Sequence, residues 1–290
     1  MLIRVGYDIE FYLPCEVAML AALNVHPSRS LDLLEPDEVR TEPEMLVSNY
    51  FDIFGNRCTR FVAPAGRLRL TGSTLVLDSG KPDPVKLSAR ECPVGDLPED
   101  VLTYLLNSRY CEVDRFSNTA FELFGDSQPG WQRVQAVCDW VHQKVRFDYS
   151  TARPTKTAMD VLTERVGVCR DFQHLAITFC RALNIPARYA TGYLGDIGVV
   201  VVPSPMDFSA WFEVYLGNRW WTFDARHNAR RIGRVLMATG RDATDCAITT
   251  SFGRAKLTSF QVTTDEVKEV LAEPMSKVLA STSNSYRERT

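Results

Sequence analysis

Gly167-Val168-Cys169-Arg170-Asp171-Phe172 opens the stretch that decides how this chain is read. From Cys169 to Leu183 the apolar residues Phe172, Leu175, Ala176, Phe179 and Leu183 fall at helical spacing on one face, which predicts a helix whose first residue is Cys169. A helix N-terminus offers unpaired backbone N–H groups and a partial positive charge. Both favour thiolate over thiol, and the same N–H groups could hold an oxyanion. About forty residues further on stand Phe208-Ser209-Ala210-Trp211, then Thr222-Phe223-Asp224.

Gly217-Asn218 between two runs rich in aromatic and β-branched residues is a two-residue hairpin signal. It predicts strands Ala210–Leu216 and Arg219–Ala225 in a register whose opposed residue numbers sum to 435, so that Trp211 faces Asp224. Alternation puts Ser209, Trp211, Asp224 and Arg226 on one face, with Ser209 and Asp224 as diagonal neighbours. His227 lies an odd number of residues past Asp224 and so falls on the opposite face, unless a bulge or turn follows Asp224. His174, five positions after Cys169, points away from the sulfur and from the apolar face, as a polar-face residue does. His142 and His26 have no motif around them and read as solvated or structurally hydrogen-bonded.

The Cys169 segment, the Ile185-Pro186-Ala187-Arg188-Tyr189 strand and Ala210-Trp211-Phe212-Glu213-Val214-Tyr215 leading to Asp224 resemble, in that order, the transglutaminase-like superfamily. The resemblance is to a bacterial branch of these papain-like thiol enzymes and spans roughly residues 130 to 230. It implies an α+β fold: a papain/transglutaminase-like catalytic domain, with a nucleophile helix packed on an antiparallel sheet, preceded by a β-rich N-terminal domain. It also implies a Cys, His, Asp triad with the histidine immediately before Ala-Trp. Here that position is Ser209, so the implied catalytic positions are Cys169, Asp224 and Ser209. An imidazole at 209 could reach Asp224 and be oriented by it, whereas a serine hydroxyl accepts no proton near neutral pH.

The activity so implied is attack of Cys169 on an amide or peptide bond, a thioester, and transfer to water or an amine, with hydrolysis favoured over protein cross-linking. Ser209 would arrest or alter that activity. The other reading is a non-catalytic protein that holds a peptide or acylated partner in the same cleft; a purely structural module fits the ordered motifs poorly. The resemblance requires no metal and no cofactor. Trp140 and Tyr149 are candidates to line an oxyanion site, Trp220 and Trp221 read as core and wall, and Arg170 and Asp171 as local pairing or first-turn stabilisation.

Composition frames these motifs. A 290-residue chain, 45% hydrophobic and 24% charged, can bury a full core and hold two modest domains. A net charge of −3 supplies no basic field for a phosphate backbone, which argues against nucleic acid as a partner. The start Met1-Leu2-Ile3-Arg4 has no leader-like progression and no apolar run is long enough to cross a bilayer, which leads to the expectation of a cytoplasmic protein with no membrane partner. Eight cysteines without a Cys-x-x-Cys pair argue against a zinc ribbon or thioredoxin-like motif; Cys138 and Cys180 fall among apolar residues and read as buried.

Strand-like runs at Leu2–Leu13, Thr59–Ala63 and Leu75–Leu77 predict a β-rich domain over residues 1–90, and the Asp52-Ile53-Phe54-Gly55-Asn56 turn resembles one in the β-domain of the bacterial relatives. The proline-rich Gly80–Pro98 segment reads as a linker, residues 91–280 as the catalytic domain and 281–290 as a polar tail. Helices are predicted from Gln128 through Val145 and over Thr157–Arg165, the second ending at Gly167, whose flexible backbone would turn the chain into Cys169. Strands are predicted over Arg188–Leu194 and Val199–Val202.

Overall fold

Period-two burial builds the N-terminal half. In a computed structural model of the protein, which describes residues 1–200 and 206–267, Ile3, Val5, Tyr7, Ile9, Phe11 and Leu13 are all buried along β1 (Leu2–Leu13). The chain continues through β2 (Val17–Ala21), β3 (Arg40–Glu42), β4 (Ser48–Phe51), β5 (Arg57–Ala63) and β6 (Gly66–Leu77). Helices α1 (Glu99–Leu102), α2 (Ser117–Phe124) and α3 (Trp131–Lys144) follow, then β7 (Arg146–Phe147), α4 (Ala158–Glu164), β8 (Val166–Gly167) and α5 (Cys169–Ala182). The last elements are β9 (Ala187–Tyr193), β10 (Ser209–Leu216), β11 (Arg219–Phe223), β12 (Val235–Gly240), β13 (Thr249–Ser251) and β14 (Lys256–Val267).

Three four-stranded sheets result, in the orders β14-β1-β6-β3, β13-β2-β5-β4 and β11-β10-β9-β12. The first two close on a shared core that includes Ile9, Leu13, Met19, Phe61 and Leu70. The sequence places 91–280 in the catalytic unit, but β14 pairs with β1 along almost its whole length and β13 pairs with β2. An edge strand left without its partner exposes unpaired N–H and C=O groups, and here the C-terminal chain supplies both missing edges. The 281–290 segment lies outside the described residues.

The third sheet stands between two cores. Ala210, Phe212, Val214 and Leu216 alternate onto the helical side with Phe172, Leu175, Ala176 and Phe179 of α5, while Tyr193, Phe208, Val235 and Met237 join the β-sandwich core. The β10–β11 register matches the 435 rule over Phe212↔Phe223 to Leu216↔Arg219, because Gly217 (φ 55°) and Asn218 (φ 65°) form the left-handed two-residue turn that fixes it. The predicted strand at Val199–Val202 does not form at Val199 and Val200, and residues 201 and 202 lie outside the described residues.

Two loops lock the halves together. The Asp52 carboxylate organises its turn by accepting from the Phe54 and Asn56 N–H groups, and the buried Asn56 amide then exchanges two 2.8 Å hydrogen bonds with the backbone of Thr239 on β12. The Gly80–Pro98 segment is strapped down rather than loose: Asp83 Oδ2 accepts from the Arg231 N–H (2.9 Å) and from Arg234 Nε (3.0 Å).

Candidate functional site

The first turn of α5 is built around Asp171. Val168 precedes Cys169 and has no side-chain acceptor, so Asp171, three residues into the turn, accepts from the Val168 N–H at 2.9 Å. The close approach explains Gly167: a Cβ there would lie 2.7 Å from the Asp171 Cβ. Space, not backbone freedom, requires glycine. The left-handed residue that ends α4 is Arg165, at φ 56°.

Cys169 is only partly exposed, and burial pushes its thiol up to about 11, with Arg226 offsetting part of the effect. Desolvation therefore outweighs the helix N-terminus, opposite to the sequence expectation of a favoured thiolate. One helical turn further, on the same face, Gln173 is fully buried. Its Nε2 donates to the Ala210 carbonyl (3.2 Å) and to Asp224 Oδ1 (3.1 Å), and its Oε1 accepts from the Ala225 N–H (3.1 Å). This amide ties the Cys169 helix to both strands of the hairpin.

Asp224 follows β11 directly and is buried. Oδ1 also accepts from the N–H groups of Arg226 and His227, both at 3.0 Å, while Oδ2 accepts from His227 Nδ1 at 2.8 Å and Arg234 Nη2 at 2.9 Å. Burial alone would raise this carboxyl, but the Arg234 charge and the His227 contacts outweigh it and hold the group below the ordinary carboxylate range. Arg234 is itself buried, bonded to Asp83, and lies over the Trp211 ring at 5.0 Å.

The expected place of His227 is overturned. The strand does not persist past Phe223; the Asp224 carbonyl accepts from the Asn228 N–H at 2.9 Å, and the turn swings the imidazole back onto the carboxylate. Ser209 begins β10 opposite Gly192, and its buried Oγ has no hydrogen-bond partner. Ser209 and His227 line one cleft of about 440 Å³ with Tyr149, Met206, Asp207 and Arg226. The Cys169 sulfur interacts electrostatically with three of those lining residues, Tyr149, Asp207 and Arg226, which sets it beside the cleft.

The remaining histidines serve structure. His174 is not on a solvated face: it is buried, stacks on Tyr110 at 4.9 Å and accepts from the Ala243 N–H through Nε2. His142 hydrogen-bonds the Arg226 carbonyl at 2.7 Å, and His26 caps a short 3-10 turn. Trp140 packs edge-on against Phe124 and Phe179 beneath the Arg165 guanidinium, away from the cleft lining, whereas Tyr149 is part of that lining. A larger cavity of about 930 Å³ involves Leu183 and Asn184 at the far end of α5, roughly 20 Å along the axis from Cys169, and no histidine lines it. Among the described residues no group of three or more His, Cys, Asp or Glu side chains could hold a metal ion, and no helix is long and apolar enough to cross a membrane.

A helix that begins at Cys169 is thus seated on an antiparallel sheet and tied through Gln173 to Asp224, and the comparisons place this fold in a known family. Residues 117–225 match the sequence profile of the transglutaminase-like superfamily. A candidate cysteine protease from Cytophaga hutchinsonii shares 30% identity and superposes with a TM-score of 0.79, over 94% of this chain and 92% of that one. The uncharacterized protein ML0607 of Mycobacterium leprae (strain TN) is 26% identical over 217 residues, 73% of this chain and 77% of its own length. The chain belongs to the transglutaminase-like superfamily.

Two site neighbours escaped the sequence reading, and a third, His227, was placed on the wrong face unless a turn intervened. Gln173 and Arg234 are polar residues whose partners come from other elements, and nothing local marks them. His227 had a signal: Asp-Ala-Arg-His-Asn after an aromatic strand contains Asn228, which adopts a left-handed φ of 48° and marks the turn.

Proposed function

We propose that the protein is a thiol-dependent hydrolase or acyl transferase for amide or peptide bonds, working through a thioester on Cys169, and altered at its base because serine occupies position 209. The observation that carries this reading is the Gln173 clamp, which fixes the Cys169 helix against a carboxylate already held ionised by Arg234. The backbone N–H groups of the first α5 turn are suited to an oxyanion. The Cytophaga hutchinsonii relative, a candidate cysteine protease, supports the same chemistry.

A second reading, a protein that binds a peptide or acylated partner without turning it over, is favoured by one observation. The Cys169 thiol is pushed to about 11 and is essentially all neutral at pH 7. Hydrolysis of a fluorogenic peptidyl-amide library by the parent and Cys169→Ala proteins separates them. The thiol reading expects slow hydrolysis that Cys169→Ala reduces to background. Micromolar binding of library members by both proteins, with no hydrolysis by either, would establish the binder.

A further inference from the structure

We infer that His227 is the catalytic acid and base of this cleft, the imidazole having moved from the start of β10 to the turn after β11. The inference rests on the thiol reading above and names the group that reading leaves unassigned. Three observations converge. His227 Nδ1 is spent on Asp224 Oδ2 at 2.8 Å, so the carboxylate orients the ring. The other ring nitrogen, Nε2, is left to accept a proton, and the side chain remains 24% exposed in the cleft that Ser209 lines. Arg226 and Asp207, which line that cleft with His227, both interact with the Cys169 sulfur.

Ser209 Oγ lies buried and unpartnered at the position where the resemblance expects an imidazole, so it neither supplies a base nor binds the carboxylate. The anchoring carboxylate is engaged by a different imidazole instead. The proton path closes with these groups. Nε2 of His227 takes the Cys169 proton, directly or through one water, as the S–C bond to the amide carbon forms. Collapse breaks the C–N bond, Nε2 returns the proton to the leaving nitrogen, and the amine departs. Water then gives a proton to Nε2 while its oxygen displaces the sulfur, and that proton restores the thiol.

The test is Cys169-dependent hydrolysis of the peptidyl-aminomethylcoumarin library by the parent, His227→Ala, His227→Gln and Ser209→His, with thermal melting of each. His227→Gln can still donate to Asp224 but cannot take a proton, so it keeps the turn while removing the chemistry. Both His227 variants are expected to lose about 10²–10⁴-fold in rate, and added imidazole should restore part of the loss in His227→Ala but not in the better-filled His227→Gln. Parent-like hydrolysis by a folded His227→Gln would overturn the inference. So would a parent with no Cys169-dependent hydrolysis that gains it through Ser209→His. Hydrolysis that survives Cys169→Ala would instead sink the thiol reading itself.

Discussion

Asp224 gathers five donors on two oxygens, and this density explains why a buried carboxylate remains charged. A buried charge of this kind is stable only while paired and hydrogen-bonded. Cys169, by contrast, has against its burial the partial help of the Arg226 charge and of a backbone hydrogen bond from Arg170. Its thiol, pushed up to about 11, leaves about one thiolate in 10⁴ at pH 7. Iodoacetamide alkylation mapped to Cys169 should therefore climb about tenfold per pH unit from 7 to 9. A plateau below pH 8 would mean that a cationic partner ionises the sulfur and would contradict a thiol governed by burial. Arg226→Ala should slow the alkylation further, since the cation favours thiolate.

At the scale of elements, α5 differs most from its sequence. Its apolar stripe was legible because Phe172, Leu175, Ala176 and Phe179 keep helical spacing, and all are buried as that spacing requires. The opposite side was not legible. His174 reads as a polar-face residue, yet it is buried, as are Gln173, Thr178 and Arg181 beside it: Arg181, for example, donates to the carbonyls of Ala187, Leu106 and Arg241. The β10–β11 register was legible because a Gly-Asn turn is a purely local device. The turn after Asp224 was only the alternative reading, because strand alternation was extended past Phe223, where the strand ends. Gln173→Leu removes three bonds across the helix–hairpin seam and leaves the buried Ala225 N–H without that partner. It should destabilise the protein by about 2–4 kcal/mol in urea unfolding, with a parallel fall in Cys169-dependent turnover. A change within about 0.5 kcal/mol would show that the clamp is dispensable.

Across the whole molecule, a β-rich N-terminal region followed by helices and then strands was evident from pattern, since period-two and period-3.6 stretches segregate along the chain. The closure of the N-terminal sheets by β13 and β14 was not, because which distant strand fills an open edge is decided by tertiary pairing rather than by local sequence. That closure, the Asn56–Thr239 lock and the Asp83 strap bind the halves across the sheet that carries Ser209 and leads into Asp224. The functional account rests on one atom, the Cys169 sulfur, becoming acylated in that setting. Incubation with p-nitrophenyl acetate, acid quench and peptide mapping by mass spectrometry tests this most directly. The account predicts a single acetyl group on Cys169, removed by neutral hydroxylamine and absent from Cys169→Ala. Acetylation scattered over lysines and the other cysteines, undiminished in Cys169→Ala, would contradict it.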